Sequence, residues 1–303
     1  MAAKKMHADE VDTDEALVRR LLQSQFPHWA ELPIAAVESA GTDNALYRLG
    51  GDMVVRLPRI HWAAGQVEKE GRWLPRLAPR LPLAVPLPLA LGTPGAGYPW
   101  HWSVCRWLEG ENATAATLAD PRRAAADLAQ FITALQRVDA DGGPPPGPHN
   151  SERGVPLAMR DDATRAAISA LRGAIDTDAA AAAWGAALHA PEWRGAPVWI
   201  HGDLQPGNLL VQHGALSAVI DFGCLGVGDP ACDLMAAWTL LTADSRAVFR
   251  AELAADDATW ARGKGWALSF GLIALPYYQI SNPVLATIGR RAIAEVLADR
   301  TSQ

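Results

Sequence analysis

The chain has 303 residues, 50% of them hydrophobic and 20% charged, the proportions of a globular protein with a sizeable core in one large domain or two lobes. A formal net charge of -6 excludes a broad basic footprint for nucleic acid and suits a cationic ligand better. No apolar stretch reaches membrane-spanning length, the two lysines near Met1 have no apolar run behind them as a signal peptide would, and Cys105, Cys224 and Cys232 lack metal-ligand spacing, so a cytoplasmic protein with reduced thiols is expected.

The first helix is expected from an Asp12 cap to about Gln25, with Glu15 three residues on and Leu17, Val18, Leu21 and Leu22 on one face. Three short antiparallel strands follow, at 33–38, 45–49 and 53–57, the last two joined by a hairpin turn at Gly50-Gly51-Asp52. A helix is predicted from Trp62 to Leu77. The Pro-rich stretch from Pro79 to Pro99 reads as a loop with short extended pieces, and Trp100 to Trp107 as a further strand. Leu108 to Asn112 then leaves the sheet as a connection between two lobes.

Beyond it the chain turns helical and rich in alanine. Pro121 to Val138 is amphipathic, with Leu128, Phe131, Ile132 and Leu135 inward. After a break at 141–148, helices are expected at 161–175 and 178–189. Two or three C-terminal helices are expected to finish the chain, around Leu234–Leu241, Ser245–Leu253, Ala258–Ile280 and Val284–Leu297. No internal repeat is visible.

Between these helical regions lies the most constrained stretch. His201-Gly202-Asp203 follows the apolar run Val198-Trp199-Ile200, Asn208 comes five residues after Asp203, and Val219-Ile220 leads into Asp221-Phe222-Gly223. Asp, Asn, Gly and Pro are ordinary turn residues, but this order, spacing and apolar flanking fit phosphoryl transfer. That reaction is governed by positioning and charge neutralisation. Asp203 can take the proton of an attacking hydroxyl. Asn208 and Asp221 can supply oxygen ligands to magnesium, which prefers them. Gly207 is expected to let the loop turn tightly, and Gly223 to free the chain after Asp221.

His201-Gly202-Asp203 with Asn208, Ile220-Asp221-Phe222-Gly223, Gly228-Asp229-Pro230 and Asp233-Leu234 together resemble the aminoglycoside phosphotransferase family, the antibiotic- and small-molecule-kinase branch of the protein-kinase-like fold. The resemblance runs from about Ile34 to Leu241. It implies an α+β, two-lobed protein-kinase-like fold: a small antiparallel-sheet N-lobe at 1–107 that binds nucleotide, and a larger, mainly helical C-lobe at 108–303. The C-lobe would carry the catalytic loop, a helical insert at about 113–190, and C-terminal helices forming the acceptor site. It implies Asp203 as catalytic base, Asn208 and Asp221 as ligands of Mg2+, two ions being expected, and His201, Asp229 and Asp233 as structural support of the loop. Read from the residues alone, Asp229 and Asp233 are acids of a helix N-terminal turn facing its dipole.

ATP or GTP would be the co-substrate. Ser39 to Asn44 is small and polar, so that backbone N–H groups at Gly41, Thr42 and Asn44 could approach phosphates; a plain hairpin turn reads equally well there. Kinases place a Lys on the third strand, paired with a helix Glu. None of the four lysines here (Lys4, Lys5, Lys69, Lys264) lies on that strand. Arg56 stands there instead, able to contact phosphate, with Glu70 as its helix partner and Arg59 and Glu68 as competitors. The resemblance implies that backbone near Cys105 and Trp107 binds the purine.

The acceptor is the least constrained feature. Asp161-Asp162 and Asp256-Asp257 could hold amines, or be helix N-terminal turns. Trp260, Trp266, Tyr277 and Tyr278 could form an apolar wall, or a buried face. The leading expectation is a kinase of an aminoglycoside or similar antibiotic, causing resistance. A metabolite kinase of choline, homoserine or a sugar, and a non-catalytic pseudokinase, are the alternatives. Neither nucleic acid, membrane nor an obligate protein partner is expected.

Overall fold

A computed structural model describes residues 9–299. The described residues divide into two units, one of residues 9–79, 84–109 and 219–223, the other of 80–83, 110–218 and 224–299.

The first unit opens with α1 (Glu15–Gln25), capped by Asp14, whose carboxylate accepts from Leu17 N–H at 2.6 Å. The expected Asp12 cap is thereby corrected: the cap carboxylate must reach the N–H three residues on, and the helix starts at Glu15. Strands β1 (Ile34–Val37), β2 (Asn44–Leu49), β3 (Met53–Pro58), β4 (Pro88–Gly92) and β5 (Trp102–Arg106) form one antiparallel sheet in the order β1-β2-β3-β5-β4. Gly50, at φ 60, makes the β2–β3 turn that a side chain would strain. The apolar face of α1 (Leu17, Val18, Leu21, Leu22) buries against Tyr47, Leu49, Val55, Leu57, Trp102 and Val104.

The Pro-rich stretch contains β4, one of the short extended pieces expected there; an edge strand tolerates a proline that has no N–H to give the ladder. Two other expectations are corrected. The following strand, Trp102–Arg106, is shorter than predicted, although Trp107 N–H still reaches Asp52 O, just before β3, at 2.8 Å. Helix α2 (Gln66–Leu77) starts later than Trp62. Residues 61–63 make a separate 3-10 turn, and Gly65, a poor helix former, stands before α2.

The second unit holds α3 (Pro121–Gln136), α4 (Asp161–Ala170), α5 (Thr177–Leu188), α6 (Ala236–Thr239), α7 (Ala243–Leu253), α8 (Asp257–Tyr278) and α9 (Pro283–Ala298). Leu128, Phe131, Ile132 and Leu135 of α3 are all buried, on the face the periodicity marked. Helix α4 stops five residues short of the expected end, where Gly173 at φ 84 reverses the chain. Helices α8 and α9 meet at Gly271 and Gly289, where an added Cβ on Gly271 would lie 2.6 Å from Gly289 O. Small ladders complete the unit: β6 (Glu111–Asn112) with β8 (Leu209–Gln212) and β9 (Ala215–Val219), and β7 (Val198–Ile200) with β10 (Gly226–Gly228). No helix among the described residues is long and apolar enough to cross a membrane.

Candidate active site

In the first unit, Arg56 points from the fully buried strand β3 toward α2. Its Nη1 lies 2.5 Å from Glu70 Oε2 and its Nη2 3.3 Å from Glu70 Oε1, a bidentate pair in which both side chains are buried. Burial weakens the Arg56 charge, but Glu70, Cys105 and Asp221 around it more than offset this and hold its proton more tightly than usual. Burial pushes the Glu70 carboxyl up, with Arg56 pulling against it. Arg56 Nη2 also lies 4.0 Å from Asp221 Oδ1. Of the competitors, Arg59 faces Glu10 at 3.9 Å, and Glu68 takes His101 at 2.6 Å.

Asp221 stands at φ 62, in the left-handed region that Asp tolerates better than most side chains. Its Oδ1 accepts from Gly223 N–H at 3.3 Å, and Lys69 Nζ donates to Gly223 O at 2.6 Å, tying this turn to α2. The left-handed residue is therefore Asp221 itself, not Gly223 or Gly207, both of which keep negative-side backbone. A Cβ on Gly223 would lie 2.8 Å from the end of the Gln66 side chain, which would have to move aside.

The Ser39–Asn44 segment is an ordered turn. Gly41 N–H donates to Ser39 Oγ at 3.0 Å and Thr42 Oγ1 to Asp43 Oδ1 at 3.1 Å. Gln66 donates to Asp43 Oδ2 at 2.7 Å and accepts a long bond from Asn44 Nδ2 at 3.5 Å. Asn44 is buried at the start of β2, so its side chain is spent on the turn. Cys105 is buried beside Arg56, and burial raises its thiol pKa. The Trp107 ring lies under the Arg48 guanidinium, 4.3 Å from it.

In the second unit, β7 delivers His201, Gly202 and Asp203 to a loop held from several sides. Gly202, at φ 83, has no room for a side chain: an added Cβ would sit 2.6 Å from Cys224 O. The fully buried Asp233 accepts from His201 N–H at 2.8 Å and from Gly202 N–H at 2.7 Å. Burial pushes Asp233 up to about 7; the two backbone donors and Arg153 pull it down, while Asp203 pushes it up. Asp203 N–H donates to His201 Nδ1 at 3.2 Å. Asn208 Nδ2 donates to Asp203 O at 2.9 Å and to Asp203 Oδ2 at 2.8 Å, so one amide fixes both the turn and the carboxylate. The turn at 206–208 is an ordinary 3-10 turn, with Gly207 N–H bound to Gln205 Oε1 at 2.8 Å.

Asp229 begins the 3-10 segment Pro230–Met235, accepting from Ala231 N–H at 3.0 Å. It is also gripped by buried Arg262, at 2.8 Å and 3.2 Å. Asp229 and Asp233 thus sit in a helical turn and at the same time hold other chain segments through their side chains. Asp161 binds Arg165 and Trp184, and Asp256 caps α8. Trp260 and Trp266 are buried, whereas Tyr277 is exposed.

Three residues had no signal in the sequence. Arg153, buried, places Nη2 3.6 Å from Asp203 Oδ1 from a loop 50 positions earlier in the chain. Gln66 and Arg262 act through contacts that no local pattern announces.

The donor set suits a hard cation. Asp221 presents a carboxylate that is about a third exposed, and Asn208, with its Nδ2 spent on Asp203, keeps a side-chain carbonyl oxygen. Among the described residues no three His, Cys, Asp or Glu gather into a closed cage. Each is an oxygen donor of the kind magnesium takes, while it keeps waters and shares substrate phosphates.

A five-stranded antiparallel sheet with a buried cation–carboxylate pair, and a helical unit carrying a braced His-Gly-Asp loop, define a kinase-like α+β protein built for phosphoryl transfer. The chain belongs to the phosphotransferase enzyme family, whose model matches residues 36–266. It is a phosphotransferase, and no curated protein sequence matches it.

Similar folds include an aminoglycoside 2''-phosphotransferase solved with GDP and kanamycin (20% identity, 93% of this chain and 99% of that one, TM-score 0.69). Another is the GDP complex of wild-type aminoglycoside 2'-phosphotransferase-IIIa (19% identity, 95% and 99%, TM-score 0.71). A third is a macrolide 2'-phosphotransferase from Brachybacterium faecium (24% identity, 96% and 100%, TM-score 0.59).

Proposed function

We propose that this phosphotransferase is a small-molecule kinase that moves the γ-phosphoryl group of ATP or GTP to an alcohol, with magnesium. The observation that carries the reading is the Asp203 carboxylate, held by Asn208 on a loop pinned through two backbone amides to Asp233. Asp203 takes the hydroxyl proton as the oxygen bonds to the γ-phosphorus, and the bond from that phosphorus to the bridging oxygen breaks, releasing the nucleoside diphosphate. Asn208 and Asp221 would hold magnesium, which when bound neutralises phosphate charge. Arg56 would steady the phosphates, oriented by Glu70, and the turn around Gly41 and Thr42 and the backbone from Cys105 to Trp107 would flank the nucleotide.

For the acceptor, the names of the similar structures support an aminoglycoside or a related antibiotic, with resistance as the consequence. One observation favours the second reading, a metabolite kinase of the same fold: a buried arginine, Arg153, stands 3.6 Å from the Asp203 carboxylate.

The test is a nucleotide-consumption screen with both ATP and GTP over aminoglycosides, macrolides and small alcohols. Turnover with some acceptor, lowered about 100- to 10,000-fold in Asp203→Ala with nucleotide affinity kept, is expected. Tight nucleotide binding without turnover of any acceptor would turn the reading into that of a pseudokinase.

A further inference from the structure

Arg153 and Arg160 both lie against the indole of Trp266, with guanidinium carbons 5.7 Å and 4.9 Å from its ring centre. Trp266 is fully buried, and its Nε1–H has no partner; Arg153 Nε is likewise buried without one. Buried donors are almost always satisfied, so two orphans in one cluster ask for an acceptor.

The charges point the same way. Arg153 has Asp203 as its counter-charge at 3.6 Å. Arg160 has none: its Nε donates to Ser269 Oγ at 3.1 Å, Ser269 bonds Thr164 at 2.8 Å, and no carboxylate among the described residues pairs with it. Burial, then repulsion by Arg153, pulls the Arg160 pKa down to about 10, with Cys232 and Glu152 opposing weakly. A half-buried guanidinium lacking an anion, next to a second guanidinium, is an electrostatic deficit that a ligand can fill.

We infer that Arg153 and Arg160 form an anion subsite beside Asp203, and that the alcohol this enzyme phosphorylates carries a carboxylate or phosphate group. The inference rests on Asp203 being the base of the proposed kinase. A guanidinium binds either anion through paired N–H donors. The same two cations repel the protonated amines of an aminoglycoside, so the subsite selects by charge as well as by fit.

Two arms test it on the full chain. In the first, malonate, a small dianion without a hydroxyl, is titrated calorimetrically into protein saturated with ADP. Binding is expected, weakened about 10-fold or more in Arg160→Gln and largely kept in Arg160→Lys. Absence of malonate binding, or equal binding to wild type and Arg160→Gln, overturns the subsite.

The second arm compares turnover of a hydroxy acid, its neutral amide, a matched amino alcohol and kanamycin. Preference for the acid, with its KM raised about 10- to 100-fold in Arg160→Gln and the nucleotide KM unchanged, supports it. Preference for the amines overturns it while leaving the kinase reading intact. Turnover of no acceptor, together with Arg160-dependent malonate binding, overturns the kinase reading and leaves the anion subsite standing.

Discussion

Arg56 and Glu70 are buried together, and the two side chains are unequal in what their loss entails. Removing Glu70 strands a guanidinium in the sheet with only Asp221, 4.0 Å away, to answer it. Glu70→Ala is therefore expected to cost about 3–5 kcal/mol of unfolding free energy, measured by denaturant titration. Arg56→Met with Glu70→Leu, which removes both charges, should recover most of that stability. Arg56→Lys should keep much of the activity. If Arg56→Ala turns over as fast as wild type, the arginine has no part in nucleotide binding. The substitution of Lys by Arg was readable as a departure from the kinase pattern. The choice of Glu70 over Glu68 as partner needed coordinates, because both lie on α2 and only its rotation against β3 decides which one faces inward.

At the scale of the element, the loop after β7 depends on one glycine and one acid. Gly202→Ala meets both a left-handed backbone and the Cys224 carbonyl, and is expected to cost about 1–3 kcal/mol and to lower turnover by displacing Asp203. The substituted protein should melt lower in a thermal scan. Asp233 carries a pH signature. Its folded pKa of about 7 lies above the ordinary carboxylate value of 3.8, so the folded state holds the proton more tightly than the unfolded chain. Its contribution to stability is full below about pH 4 and is lost as pH rises through about 7. In Asp233→Asn that fall between about pH 4 and 7 should flatten, as seen by denaturant midpoints at each pH. An unchanged slope would mean that another group is responsible.

For the whole molecule, the proposed use of magnesium would separate catalysis from folding. EDTA is expected to abolish turnover, with magnesium restoring it, while the melting temperature of the nucleotide-free protein stays where it was. A metal that belonged to the fold would lower that temperature when stripped. Nucleotide should stabilise the protein by mass action, by about 2.7 kcal/mol at a hundred times Kd.

Much of this was written locally. The spacing of Asp203, Asn208 and Asp221 pointed to the reaction class, and the apolar periodicity of α1 and α3 picked out their buried faces, because these depend on residues a few positions apart. What only the tertiary structure decided involves partners far apart in the chain. Arg153 comes to Asp203 across 50 positions, Asp233 to His201 across 32 and Arg262 to Asp229 across 33. The extended piece among the prolines was legible, but its place as the edge strand β4 beside β5 was not. The charge around Trp266 could not be read from clusters of acids, since Asp161 and Asp256 are engaged at helix starts while two separate arginines converge on that ring. Short-range patterns encode which chemistry a loop can perform; the packing of distant segments settles the charge that surrounds it.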